Sequence, residues 1–149
     1  MLLTSNLSLK RDQKVIFEDI NISASPGKII FIKGENGAGK TSLIKSLVNI
    51  LSVNDGDIFW MGKNIKKNIF EYYNAITLIL DKPTSAVQMT VLENINFWKK
   101  ISNSKISNEG INNLLNMLEL DQYLDRQVMY LSLGEIKKLE LTRLILEQK

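Results

Sequence analysis

The 149-residue sequence contains no cysteine and no histidine, and only two prolines. Without cysteine it can form no disulfide and no thiolate metal site. Without histidine it lacks the side chain that most readily changes charge near neutral pH. Histidine is thereby excluded as general base, metal ligand or phosphate sensor anywhere in these residues. No apolar run approaches the ~20 residues needed to cross a bilayer. Met1–Asn6 lacks a charged stretch followed by a long apolar core, so no signal peptide is read there. Neither sign of charge dominates: 19 Lys and Arg against 16 Asp and Glu leave a net charge of +3. So mild a basic balance reads as a solvated surface and gives no reason to expect a nucleic-acid partner. The length suits one domain with a real core, and 44% hydrophobic and 23% charged residues are ordinary for a globular protein. There is no low-complexity tract, linker or internal repeat.

What the sequence does contain is Gly34-Glu35-Asn36-Gly37-Ala38-Gly39-Lys40-Thr41-Ser42, which fits the phosphate-binding loop G-x-x-x-x-G-K-[ST]. Its flanks suit it. Lys28–Lys33 is a short run rich in β-branched residues and reads as a buried strand, while Leu43, Ile44, Leu47, Ile50 and Leu51 follow at helical spacing. Glycines let the backbone wrap a polyphosphate with successive N–H groups facing its oxygens, and the helix N-terminus adds a favourable dipole. In such a loop Lys40 reaches the β- and γ-phosphates and the Thr41 hydroxyl ligates Mg²⁺. The loop therefore points to a polyphosphate with Mg²⁺.

The rest of the chain divides by pattern. Leu3–Leu9 alternates as a strand, Lys10–Lys14 is a charged turn, and Val15–Phe17 with Ile20–Ile22 is a second extended stretch closed at Pro26-Gly27. Asp55-Gly56-Asp57 reads as a turn, Ile58–Met61 as a short strand, and Ala75–Leu80 as a buried strand ended by Pro83. Beyond Pro83 the periodicity is helical. Val91, Leu92, Ile95 and Trp98 mark one helix. Ile111, Leu114, Leu115 and Leu118 mark a second, with Ser107 as its cap. Leu133 to the C-terminus is a third, in which Ile136, Leu139, Leu141, Leu144 and Ile145 are expected to be partly buried. Trp60 and Trp98 are expected to pack in cores. The fold class is thus α/β: residues 1–82 form a β-rich lobe with the phosphate loop, and 83–149 a helical subdomain.

Leu131-Ser132-Leu133-Gly134-Glu135 opens the last helix. Downstream of a phosphate loop, this resembles the LSGGQ signature helix of ABC-transporter ATPases. Val91-Leu92-Glu93-Asn94-Ile95 is similar to the T-x-x-E-N-L helix start of the same proteins. A finer resemblance is to the ATP-binding subunit of the heme exporter used in cytochrome c maturation. It rests on Arg11-Asp12, on Pro83 and on Leu92-Glu93-Asn94-Ile95-Asn96-Phe97-Trp98. The resemblance implies a P-loop NTPase of the ABC ATPase type with a largely parallel core sheet. Its ATP contacts would be Gly34 to Ser42, with Thr41 on Mg²⁺. Ser132, Gly134 and Glu135 would meet the ATP held by a second ATPase subunit in a head-to-tail dimer. Membrane-spanning transporter subunits are the further implied partners, and the cytoplasmic face of the inner membrane the implied location.

The sequence also departs from that family's pattern. No strand with the Walker B aspartate and catalytic glutamate follows Ser132, so the domain reads as incomplete at its C-terminus and no catalytic residue is assigned. A copy of this kind would be a fragment or a decaying gene product, able at best to bind nucleotide. Lys82 falls where the family carries its Q-loop glutamine; a lysine accepts no hydrogen bond and repels Mg²⁺. Glu135 replaces the signature glutamine, Leu133 is bulky where Gly or Ala is usual, and Arg11 stands near the position of the missing adenine-stacking aromatic. The strands Ile29–Ile32 and Ile76–Leu80 should lack neighbours and leave apolar surface open. Three alternatives stay open beside the heme-export reading: a subunit of another ABC exporter, a non-catalytic nucleotide-binding or dimerisation module, and a small-molecule kinase.

Overall fold

The alternation around Leu3–Leu9 produces β1 (Leu2–Arg11), the centre of a five-stranded sheet in this computed structural model, which describes residues 1–147. Asp12 and Gln13, both at positive φ (46° and 67°), turn the chain back into β2 (Lys14–Ile20). Two successive residues of that conformation give a hairpin turn whose twist matches its strands. β3 (Ser23–Ala24) and β4 (Asp55–Trp60) also pair with β1, and β5 (Lys63–Asn64) pairs with β4. Every one of these pairings is antiparallel. The largely parallel sheet implied by the resemblance is therefore not formed by the described residues.

Two segments expected to be strands explain the difference. Lys28–Lys33 and Ala75–Leu80 carry no strand assignment. A strand exists only where a neighbour takes its N–H and C=O groups, and neither segment has such a neighbour among the described residues. The inward half of the first pattern is still used: Ile32 packs on the core, whereas Ile29 and Phe31 are 81% and 79% exposed. The open apolar surface expected from the sequence is present there.

The expected turn at Asp55-Gly56-Asp57 is also corrected, for these residues begin β4. The register jumps between Ser5↔Asp57 and Ser8↔Asp55, so β1 bulges. Gly56 lies at φ 88°, and a Cβ there would sit 2.5 Å from the carbonyl oxygens of Ser5 and Asn6. The preference for positive φ that marks a turn serves a bulge equally well.

The chain forms two compact units, Met1–Ile76 and a second beginning at Thr77. In the first, Leu7, Ile58, Ile65 and Tyr72 bury with Leu43 of α1 (Lys40–Leu47), and Trp60 packs against this core. Ile50 falls beyond the end of α1 and is exposed. A short helix absent from the sequence reading, α2 (Ile69–Asn74), supplies Tyr72. The Tyr72 hydroxyl donates to the Leu47 carbonyl at 2.9 Å; burial, with Tyr73 nearby, pushes its pKa up to about 12.

The second unit is helical: α3 (Val91–Ile101), α4 (Asn108–Met117) and α5 (Leu133–Leu146). Its core joins Val91, Ile95 and Trp98 to Ile111, Leu115, Leu139 and Leu146. Both predicted helix starts are capped. Ser107 accepts from Gly110 N–H, and Thr90 with Glu93 forms a reciprocal capping box. Asn94 is buried and pins the loop ahead of α3, accepting from Ala86 N–H at 2.8 Å and donating to Ala86 C=O at 3.1 Å. That is the physical content of the Glu-Asn pair in the helix-start motif.

α5 departs from the expected burial. Leu139 is fully buried and Ile136 partly so, but Leu141, Leu144 and Ile145 are 43%, 50% and 43% exposed, while Glu140 and Thr142 are buried. Hydropathy assigns the apolar positions to the inside; here Glu140 is buried on bonds from Thr84 and Ser85, and Thr142 donates to the Leu139 carbonyl at 2.7 Å.

Candidate functional site

The segment Gly34–Gly39 runs as an irregular loop into α1, with Asn36 and Gly37 forming a turn. Gly39 is the N-cap, at φ 88°. A Cβ on Gly39 would lie 2.8 Å from Ile16 Cγ2 and 3.0 Å from the Ile16 carbonyl oxygen, so only glycine lets the loop close against β2. With no side chain capping α1, the N–H groups of its first turn have no intrahelical acceptor. They are a ready anion site, and the helix dipole adds to it.

Lys40 is folded over the loop. Its ammonium donates to the carbonyls of Gly34 and Glu35, each at 2.7 Å. Ala38 N–H donates to Glu35 C=O at 3.2 Å, which tightens the turn. The Thr41 side chain is exposed and makes no hydrogen bond to the described residues. These features fit a polyphosphate: a row of free donors, a cation on a flexible stem and an unengaged hydroxyl. They fit Mg²⁺ as well. Among the described residues no cluster of acidic side chains could hold the ion by itself, and Mg²⁺ bound with a nucleotide takes most of its ligands from phosphates and water. The exposed Thr41 hydroxyl is one side-chain oxygen that the loop could offer such an ion.

Ser132, Gly134 and Glu135 come together at the start of α5. Ser132 N–H donates to the Glu135 carboxylate at 2.6 Å, and Glu135 N–H donates to the Ser132 hydroxyl at 3.3 Å. Both polar side chains are thus engaged in a capping box. The Ser132 N–H, joined by the Tyr123 hydroxyl and the Ser132 hydroxyl, holds the Glu135 carboxyl below its ordinary range. Around Gly134 the space is open, and Leu133 is 79% exposed.

A group of residues that sequence reasoning missed lies further along α5. Lys137 donates to the carbonyls of Leu80 and Asp81 at 3.0 and 2.7 Å. Glu140 accepts from Thr84 and Ser85, and Arg143 donates to the Thr84 hydroxyl at 2.8 Å and to Glu147 at 2.8 Å. Glu147 in turn accepts from the Thr77 hydroxyl at 2.7 Å. The side chains at 137, 140, 143 and 147 form one stripe on the helix and grip Thr77–Ser85, the stretch that carries exposed Lys82. The available signal was the spacing of the charged residues along the helix.

The sequence profile of ABC transporters matches residues 17–149. The chain belongs to the ABC transporter family. A cytochrome c biogenesis ATP-binding export protein from Vibrio vulnificus is 32% identical to this ABC chain over 149 residues, covering 100% of it and 73% of the relative. An ABC transporter ATP-binding protein from Pyrococcus furiosus superposes with a TM-score of 0.83 at 25% identity, over 97% of this chain and 70% of its own. A solved ATP-binding subunit of another ABC transporter gives 0.82 at 20% identity, over 99% of this chain and 62% of its own, a likeness of fold. This ABC chain thus spans less than two thirds of that last structure. The fold is the α/β ABC ATPase type, and the chain is an ABC ATP-binding subunit.

Proposed function

We propose that the chain serves an ABC exporter by binding ATP at Gly34, Glu35, Asn36, Gly37, Ala38, Gly39, Lys40, Thr41 and Ser42, with Mg²⁺ on Thr41, and that the exported cargo is heme for cytochrome c biogenesis. The observation that carries the nucleotide assignment is Lys40, held by two carbonyls at the mouth of an uncapped helix N-terminus. The cargo rests on the relative's name together with the residue pattern Leu92–Trp98.

In this reading the free N–H groups of the loop and Lys40 position the phosphates and offset their charge. Mg²⁺, when bound, screens the β- and γ-oxygens. Phosphoryl chemistry of this class depends on such positioning and electrostatics. Ser132, Gly134 and Glu135 would face a nucleotide held by a second ATPase subunit, and membrane-spanning subunits would receive the stroke. None of the described helices is long and apolar enough to cross a membrane itself, which suits a peripheral position at the cytoplasmic face.

Exposed Lys82, which the resemblance sets where the family carries its metal-linked glutamine, favours a second reading, a nucleotide-binding or dimerisation module without turnover. Equilibrium titration of the full chain with ATP tests the primary assignment. Lys40→Ala should remove most of the affinity, since the phosphates then lack their main counter-charge. Equal affinity in the variant would sink it.

A further inference from the structure

Asn36 is the one asparagine in the sequence that is followed by glycine. Both residues are exposed and lie in a turn outside any helix or strand. The Asn36 side chain and the Gly37 N–H make no hydrogen bond to the described residues. A Cβ on Gly37 would meet nothing within 4 Å, so the space beside its Cα is open. No other asparagine combines these features. Asn103-Ser104 is the nearest in reactivity, but Ser104 N–H donates to Lys99 C=O at 3.0 Å; beyond Asn21, Ile22 N–H donates to the Thr4 hydroxyl at 2.8 Å.

We propose that Asn36-Gly37 is a self-modification site that converts the phosphate loop to an aspartate or isoaspartate form when no nucleotide is bound. The inference rests on the loop being the nucleotide site. The Gly37 nitrogen gives up its proton and attacks Asn36 Cγ. The new N–Cγ bond closes a five-membered succinimide; the Cγ–Nδ2 bond breaks, and ammonia leaves carrying a proton. Water then opens one imide carbonyl. The balance is asparagine plus water to aspartate or isoaspartate plus ammonia, with no oxidant and no cofactor.

Either product places a new negative charge in a loop whose task is to hold anions. Isoaspartate also routes the main chain through Cβ, which shifts the following N–H groups out of their row. A bound polyphosphate prevents the reaction. It occupies the Gly37 N–H, and its charge disfavours the anionic nitrogen that the attack requires. Occupancy thus preserves the loop, and vacancy ages it.

The test incubates the full chain at mildly alkaline pH with and without Mg²⁺ and a non-hydrolysable ATP analogue. Peptide mapping and isoaspartate labelling follow each asparagine, and titration of fresh and aged protein follows affinity. Asn36 should convert several times faster than Asn103, and saturating analogue should slow it about tenfold or more. Aged protein and Asn36→Asp should each bind the analogue about tenfold more weakly than fresh protein. Asn36→Gln, whose ring closure is slower, should not age. Conversion of Asn36 no faster than Asn103, conversion unchanged while the analogue is bound, or full affinity in Asn36→Asp would each overturn the inference and leave the nucleotide assignment standing. Fresh protein that binds no analogue while Asn36 still converts would instead overturn the nucleotide assignment, and the protection with it.

Discussion

Both carboxylate oxygens of Glu140 are held by Thr84: its N–H reaches Oε1 at 2.7 Å and its hydroxyl reaches Oε2 at 2.9 Å. Ser85 N–H adds a third bond at 2.7 Å, and Glu140 is 1% exposed. A single buried side chain thereby satisfies two main-chain donors in a stretch that has no sheet to satisfy them.

Glu140→Ala should therefore destabilise the second unit by roughly 2 kcal/mol, the cost of leaving buried donors unpaired. Chemical denaturation checks this; an unchanged midpoint would show that water replaces the carboxylate freely. The same group makes stability depend on acid. Burial pushes its pKa up, but the bonds from Ser85 and Thr84 outweigh burial and bring it below the ordinary value of 4.5. The unfolded chain then takes up the proton first. Glu140's contribution is complete above about pH 4.5 and fades as pH falls through the lowered folded value. Glu140→Gln should flatten this acid limb, as read by the denaturation midpoint across pH.

The capping box at the start of α5 has a testable strength. Ser132→Ala should lower stability by about 1 kcal/mol, as loss of a helix N-cap does. Ser132→Asp, which keeps an acceptor, should recover most of it. Thermal unfolding without nucleotide separates this role from any contact with a partner's ATP. No change on Ser132→Ala would mean that the cap is idle.

Assayed by itself, the 149-residue polypeptide should release phosphate from ATP at background rate. It has no histidine, and no carboxylate among the described residues bonds Thr41 or Lys40 to order metal or water. Steady magnesium-dependent turnover that disappears in Lys40→Ala would show this expectation wrong, and Asp81 would be the first carboxylate to replace.

Exposed Ile29 and Phe31 predict poor behaviour in solution. Replacing both with threonine should reduce binding of a hydrophobic dye and raise solubility. It should leave far-ultraviolet circular dichroism unchanged, because neither side chain enters the core. A loss of folded signal would show that these residues are covered in solution.

Local chemistry was the legible part of this sequence. The glycine loop leading into α1 and the Ser107 cap act through neighbours within a few residues, so spacing alone exposes them. Lys28–Lys33 and Ala75–Leu80 have the composition of strands but form none, because a strand is a relation between segments and the neighbours that the sequence shows to be lacking are absent among the described residues. Glu140 was invisible for a related reason. Its burial depends on Thr84, 56 residues away, while hydropathy places every glutamate outside. Gly56 was ambiguous in kind, since a turn and a bulge ask the same freedom of the backbone.

The two carbonyl contacts of Lys40 bear on what the proposed phosphate loop would accept. Its ammonium is already satisfied by the carbonyls of Gly34 and Glu35, so an incoming anion must outcompete two charge-assisted bonds before the lysine swings outward. A lone orthophosphate can sit on the helix N-terminus but offers too little charge further along to draw that ammonium away. A triphosphate carries more charge and more oxygens with which to replace both bonds. If the loop holds a nucleotide as proposed, the lysine contacts would favour a long anion over a short one.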